Sequence, residues 1–497
     1  MVYEKNEVYS VQYNYEEVPK KDKQEKESVV SFAVGNYWLQ IAAVISVNLA
    51  AIGASTTWFW TSPALPYLKS NISEIPTTDS EGIWLASILD ISASIGLLLC
   101  PLSLQVTGRK LSLLILGVFH AISWIMVIFS KNIETLYTAR FIAGLSYQMS
   151  FKIQIIYIAE ISDKNIRGTL VSTVKIFSCL GQLFVKSAGA FLSFRNMNIA
   201  MLSTPLLFLF TFAFVPESPY YLLIRGKIRK AWESISKLKG TKNPQIVESA
   251  LEEIQESVKD AQKIKAFCFR ELVYIQGNRR SLYIVLIAVA TASLSGRAVM
   301  TSFTQEVLGY SDLPLSPEYA TLIVAGIALF ISVLITPFID RGGRKTVFFL
   351  SGILSTICLA LLGLTFFMKY YMKTAIPFFT WMPLICFVLY FVTLEDGIVN
   401  LTDILMSEMF ALEVKGMGLI FIGLAKNLFW FITHFSFGWL NSTFGIYTTF
   451  WIYAVFCLTG TIMFIIVAPE TRGKSLEEIQ DILHERRKLK EDDLIDV

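Results

Sequence analysis

The chain has 497 residues, of which 54% are hydrophobic and only 17% charged, with a formal net charge of +3. A soluble chain of this length needs more surface charge, so composition excludes an ordinary soluble enzyme and points to a polytopic membrane protein. The bases cluster at loop positions and form no nucleic-acid stripe, so the net charge says little about partners beyond the lipid bilayer.

Residues 1–36 carry Glu, Lys and Tyr without the apolar core of a signal peptide and are expected to be a disordered cytoplasmic tail. Apolar runs near the ~20 residues that cross a bilayer as helix follow at 38–60, 83–104, 111–129, 134–158, 168–192 and 198–215. A polar stretch, 216–281, then interrupts the pattern. It holds Ala231-Trp232-Glu233-Ser234-Ile235 and Ala250-Leu251-Glu252-Glu253-Ile254, whose apolar residues three and four apart among charges predict amphipathic helices beneath the membrane domain. Six further runs fall at 282–304, 319–338, 346–367, 376–409, 414–439 and 446–467, and a charged tail covers 469–497. The expected organisation is an all-α membrane protein of twelve transmembrane helices, with bundles at 37–215 and 282–468 around the linker.

Lysines and arginines in short loops set orientation. Arg109, Lys110, Lys164, Arg167, Arg341 to Lys345, Lys415, Arg472 and Lys474 share one side with the linker, so that side and both termini are expected to be cytoplasmic. The sequons at Asn71 and Asn441 then fall on the opposite side, where glycosylation could occur, while a third at Asn400 lies within a span. The turn Ile339-Asp340-Arg341-Gly342-Gly343-Arg344-Lys345 has an echo at Gln105-Val106-Thr107-Gly108-Arg109-Lys110, which suggests two similar halves.

No metal-ligand spacing, nucleophile elbow, phosphate loop or pair of catalytic carboxylates is present, so the sequence indicates no enzyme, no cofactor and no metal. The six cysteines have no CxxC spacing, fall mostly in apolar segments and read as buried small hydrophobes. His434, alone on an apolar helix, reads as a satisfied packing residue in preference to a proton relay.

Five motifs occur in order. They are Glu160-Ile161-Ser162 with Arg167-Gly168-Thr169, Pro216-Glu217-Ser218-Pro219, Asp340-Arg341-Gly342-Gly343-Arg344-Lys345, Ser407-Glu408-Met409-Phe410 with Lys415-Gly416, and Pro469-Glu470-Thr471-Arg472-Gly473-Lys474. Together they resemble the signatures of the sugar porter family of the major facilitator superfamily. Thr61-Ser62-Pro63-Ala64-Leu65-Pro66 and Phe450-Trp451 look most like insect facilitated trehalose transporters. The resemblance implies two six-helix bundles rocking about a midplane site, with a sugar such as trehalose or glucose carried across the plasma membrane. It also implies gating ion pairs at the cytoplasmic helix ends, drawn from Arg109, Lys110, Arg140, Glu160, Arg167 and Glu217 in the first half. Asp340, Arg344, Lys345, Glu408, Lys415 and Glu470 supply the second, and opening inward is expected to break such pairs.

The chain departs from the family pattern at several points. Gln105 and Val106 replace an acid and a base of the first-half turn, and Tyr220 replaces a base. Where the family reads sugar hydroxyls with amides, this chain places Lys175 and Ala292-Ser293-Leu294-Ser295-Gly296-Arg297-Ala298, keeping Asn427. The resemblance therefore assigns substrate binding to Lys175, Ser293, Ser295, Arg297, Asp403 and Asn427. Charges inside spans cost ~3 kcal/mol each on insertion scales and normally face a wet cavity or a partner. Lys152, Lys175, Lys186, Arg297 and Lys426 are balanced in part by Asp90, Glu395, Asp396 and Asp403, while Lys152 and Lys186 can instead snorkel from span ends. Two readings stay open: Lys175 and Arg297 bind an anionic or strongly polar solute, or they pair with acids such as Asp403 in a salt-bridged cavity. Residues 38–66 hold no acid, which favours facilitated diffusion over proton coupling. A non-transporting sensor on the same scaffold would be expected to carry a longer cytoplasmic tail.

Overall fold

The computed structural model describes residues 37–263, 269–339, 343–373, 380–474, 478–479 and 481–482. The expected N-terminal tail, Asp340, Arg341 and most of the C-terminal tail lie outside the described residues. Among the described residues the ordered elements are all helical.

The first half holds α1 (Tyr37–Phe59) with its extension α2 (Thr61–Leu68), then α3 (Asp79–Val106), α4 (Gly108–Ile128), α5 (Ile133–Ile161), α6 (Arg167–Phe191) and α7 (Phe194–Phe212). Four shorter helices follow: α8 (Pro219–Ile224), α9 (Ile228–Lys239), α10 (Pro244–Lys263) and α11 (Phe269–Tyr274). In the second half α12 (Gln276–Leu294) breaks into α13 (Arg297–Ser302) and α14 (Thr304–Gly309), and α15 (Pro317–Ile339) and α16 (Arg344–Tyr370) come next. The following pass joins α17 (Met382–Phe391) to α18 (Asn400–Glu408) through a π-helical turn, Val392–Val399, before α19 (Leu412–Phe444) and α20 (Ile446–Val467). These make twelve long passes, six in each half, in the expected order.

Nine of the passes are long and apolar enough to cross a bilayer on length and composition alone. The other three, α5, α7 and α12, are more polar for a structural reason. Arg140, Gln148 and Gln154 of α5, Asn198 of α7 and Asn278 of α12 are buried against neighbouring helices.

Local chemistry sets the helix starts. Thr78 and Glu81 form a capping box at α3, with the Glu81 carboxylate accepting from the Thr78 backbone N–H at 2.8 Å. Asn132 accepts from the Thr135 N–H at 3.0 Å to begin α5. These side chains satisfy N–H groups that a helix start leaves unpaired. Gly296, at φ 87°, interrupts the seventh pass, in the left-handed region that favours glycine.

Each half packs mainly on itself, with α3 against α5, α1 against α6, α4 against α7, α16 against α20 and α12 against α19. Two seams join the halves, α3 with α19 and α6 with α15. Close approach in the first half depends on Gly144: a Cβ there would lie 2.7 Å from the Leu89 carbonyl oxygen and closer still to Ser92. Gly144→Leu is expected to force α3 and α5 apart at a cost of ~1–3 kcal/mol. Gly416→Ala, with nothing within 4 Å of the added carbon, is expected to change little. Thermal unfolding of the two purified variants in detergent measures the difference.

Candidate functional site

A cavity of about 480 Å³ lies between the halves. One end is closed by Trp58 and Trp430, each about 96–97% buried, with ring centroids 4.6 Å apart; Tyr147 stacks on Trp58 at 5.2 Å. The walls then run past Gln148, Lys175, Gln182, Arg297, Glu395, Asp396 and Asp403 to Val171, Ser407 and Lys415. Those last residues stand near the helix ends that carry the basic motifs, so the cavity opens toward that end, called here the basic face.

Two bases of the wall, Arg297 and Lys175, are paired with acids, and Lys152 and Lys426 line it as well. Arg297 grips Glu395 through two bonds, Nε to Oε1 at 2.6 Å and Nη2 to Oε2 at 3.0 Å, and its guanidinium lies 5.2 Å from the Trp430 ring centroid. Lys175 of α6 reaches across the seam to Asp396 at 2.5 Å, and Ser332 of α15 donates to the same carboxylate at 2.8 Å. Both acids sit on the π-helical turn, where one extra residue in the helical register swings adjacent side chains inward. Lys426 stands 4.9 Å from the centre of the Trp430 ring. Asp403 is exposed and lines the open cavity.

The structure brings together Lys175, Arg297 and Asp403 of the residues expected at the solute site. Ser293 sits beside them, lining a small recess with Arg297 and Asp403. Two others point elsewhere. Ser295 is buried, donating to the Ala292 carbonyl while its own carbonyl accepts from Tyr390, because it ends α12 at the break. Asn427 is 1% exposed, with neither amide atom hydrogen-bonded, and does not line the cavity. The expected pairing of Asp403 with Arg297 or Lys175 gives way to Glu395 and Asp396, which the inward turn of the π-helical segment carries closer. Lys186 does not snorkel: it is 2% exposed, with Nζ 5.8 Å and 5.6 Å from the ring centres of Phe59 and Phe391.

The expected gating residues gather at the basic face, but within each half. Arg109 pairs with Glu160 at 2.7 Å, and Ser218 also donates to Glu160. Glu217 accepts the backbone N–H groups of Arg109 at 3.2 Å and Lys110 at 3.0 Å. In the second half Arg344 pairs with Glu408 at 3.2 Å, Thr471 donates to Glu408 at 2.7 Å, and Glu470 accepts the N–H groups of Arg344 and Lys345. Lys415 donates to the Ser407 carbonyl and Arg167 to that of Ser162. These pairs coexist with a cavity open on the same face, so opening at the basic face does not break them. Burial acts against ionisation of both motif glutamates. It prevails at Glu217, whose carboxyl lies above its ordinary range, whereas at the more exposed Glu470 the N–H groups of Lys345, Arg344, Arg472 and Thr471 outweigh it and lower the value.

Arg140 is the exception. It lies two turns into α5 from the opposite face, and twenty residues of helix, ~30 Å, separate it from Glu160. Its guanidinium donates to the Thr57 carbonyl at 2.6 Å and the Leu85 carbonyl at 3.2 Å and covers the Trp60 ring. It ties α1, α3 and α5 together far from the basic motifs.

That opposite face is closed by contacts between the halves. Lys69 bridges Glu306 of α14 and Asp79, each at 2.8 Å. Deeper in, His434 of α19 binds Asp90 of α3 at 2.7 Å, so the histidine expected to pack with its hydrogen bonds satisfied makes them across the two halves. Asn71 is exposed in the turn before α3, and Asn441 is half-buried in the last turn of α19, on this same side.

The family profile described as "Sugar (and other) transporter" matches residues 7–483. The chain belongs to the sugar (and other) transporter family. It is a multi-pass membrane transporter and not an enzyme. The facilitated trehalose transporter Tret1 of Apis mellifera ligustica is 26% identical over 449 residues, covering 89% of this chain and 88% of that protein. Tret1 of Anopheles gambiae is also 26% identical, but there the match spans 56% of the longer relative. Among solved structures, the inward open conformation of the E. coli xylose transporter XylE has a TM-score of 0.74 at 21% identity, covering 89% of this chain and 99% of that one. XylE bound to 6-bromo-6-deoxy-D-glucose gives 0.69 at 22% identity over 89% and 99%. These likenesses show the major facilitator fold.

A buried ion pair that loses one partner leaves a charge stranded. Arg297→Met alone is expected to destabilise the protein by ~3 kcal/mol, whereas Arg297→Met with Glu395→Leu recovers most of that loss. Thermal unfolding of the wild type, both single variants and the double variant closes the cycle.

Proposed function

We propose that this transporter moves a neutral sugar by facilitated diffusion across the plasma membrane, with the basic face and both termini in the cytoplasm. The observation that carries the reading is the pairing of the two bases that stand where the family places amides. Arg297 is bound by Glu395 and Lys175 by Asp396, so neither base is free to hold an anion, and the wall presents hydrogen-bonding groups beside aromatic faces. Nε2 of Gln182 and the indole N–H of Trp430 are buried in that wall without a hydrogen-bond partner, and hydroxyls suit such donors. Sugar rings also pack on flat aromatic surfaces such as Trp58, Trp430 and Phe391. The names of the relatives make trehalose the first solute to test and glucose the second.

In this reading Lys175, Ser293, Arg297 and Asp403 line the solute path, helped by Gln182, Glu395, Asp396, Trp58 and Trp430. The organisation comprises bundles at 37–215 and 282–468, joined by the linker 216–281. Arg109, Glu160, Glu217, Arg344, Glu408 and Glu470 lock the basic ends of each half into rigid units that rock as bodies. Asn71, exposed opposite the basic face, is the better glycosylation acceptor.

Uptake of labelled trehalose, glucose and an anionic metabolite into liposomes holding the purified chain tests the proposal. The expected result is saturable entry of at least one sugar without a proton gradient, and a fall of tenfold or more in Asp396→Asn, which leaves Lys175 unpaired. Entry of the anion alone would overturn it.

A further inference from the structure

The seam between α3 and α19 contains one feature that neither the motifs nor the cavity accounts for. Asp90 and His434 are each 1% exposed and come from opposite halves. Oδ2 of Asp90 lies 2.7 Å from Nδ1 of His434. The other ring nitrogen, Nε2, is 3.0 Å from the Ala298 carbonyl oxygen and 2.9 Å from the Ser302 hydroxyl. A carbonyl only accepts, while the Ser302 hydroxyl can donate or accept, so the Ala298 contact favours the tautomer with its hydrogen on Nε2. A ring nitrogen 2.7 Å from a carboxyl oxygen then requires one more proton between them, whichever atom it rides on. The closed contact therefore holds a proton that a separated carboxylate and a neutral imidazole do not.

The surroundings leave this count intact. Arg140 of α5 is the fixed charge acting on Asp90 from the first half, and the Tyr147 hydroxyl lies on the same helix. From the second half, the Arg297–Glu395 pair and Lys426 lie at the Trp430 end of the cavity, and Trp58 stands between cavity and histidine, its ring centre 6.3 Å from the imidazole. The helices meet closely beside the pair: a Cβ at Gly438 would fall within 2 Å of Ile83. Any opening of the opposite face must separate α3 from α19 and pull the two side chains apart.

We propose that Asp90 and His434 are positioning residues for the transport cycle, forming a gate on the face opposite the basic motifs whose closure takes up one proton and whose opening releases it. Because Trp58 and Trp430 seal the pair from the cavity, the proton enters and leaves on the same side, and the sugar remains uncoupled. The inference rests on the alternating opening proposed above, but its test needs no solute. An open, wet imidazole is neutral above about pH 6.5, so in that range the ratio of closed to open molecules falls by up to tenfold per pH unit.

Nitroxide labels at Ser80→Cys and Ser442→Cys, both exposed at the outer ends of α3 and α19, report the opening by pulsed EPR in nanodiscs, in a Cys179→Ser, Cys268→Ser background. From pH 7 to 8.5 the wild-type chain is expected to shift population toward the longer distance with a slope near one proton. His434→Gln keeps a hydrogen bond to Asp90 without titrating and is expected to abolish the slope. A pH-independent wild-type distribution, or an unchanged slope in His434→Gln, overturns the proposal. Should His434→Gln not fold, Asp90→Asn, which removes the carboxylate, is expected to flatten the response, and an unaltered slope there overturns it equally. Failure of sugar uptake leaves this readout untouched, so the two proposals fail separately.

Discussion

Burying charge in a protein surrounded by lipid is costly unless the charge finds a partner, and here several of the pairs join the two halves. Lys175 comes from the first half and Asp396 from the second. Asp90 and His434 face each other across the same divide, as do Lys69 and Glu306. Stranding a buried ion costs several kcal/mol, so the Asp90–His434 contact, with Lys69–Glu306 beside the turn before α3, holds the arrangement with the opposite face closed. They also define what must be exchanged when that face opens: every separated group needs water or a new partner at once. A transporter of this design is bistable because its seam contains directional polar contacts in addition to apolar packing.

The basic-face motifs serve a different end. Glu217 and Glu470 each gather backbone N–H groups from the start of the helix beside them, α4 and α16, where helix dipole and unpaired donors favour a carboxylate. Arg109–Glu160 and Arg344–Glu408 add a second tie within each half. The two halves thus repeat one construction, although Gln105 and Val106 stand where the repeat's acid and base are expected. The surviving Arg109, Lys110 and Glu217 are the groups that make the contacts, which explains why the replacement leaves the geometry intact.

Much of this was legible in the sequence because span length and loop charge are local properties. All twelve passes, the polar linker and the side on which the basic turns gather follow from residue patterns, and the charged spans pointed correctly to a polar interior. Pairing was not legible. Nothing in the spacing of Glu395, Asp396 and Asp403 says that a π-helical turn lifts the first two into the cavity, or that Arg297 prefers Glu395. Arg140 was misplaced for a related reason: a motif groups residues by family habit, while helix rise separates them by the thickness of the membrane. The partner of His434 was hidden because it lies 344 positions away in the other half. Asn427 and Ser295 turned inward because helix rotation about its axis is set by packing that no single span encodes.

The central claim is that the closed seam opposite the basic face must open once per transported molecule. The most direct measurement replaces Lys69 and Glu306, whose charged groups lie 2.8 Å apart, with cysteines and joins them by a short reducible cross-linker in liposomes. The account predicts that exchange of labelled sugar stops when the link forms and returns on reduction. Undiminished exchange with the link intact would contradict it.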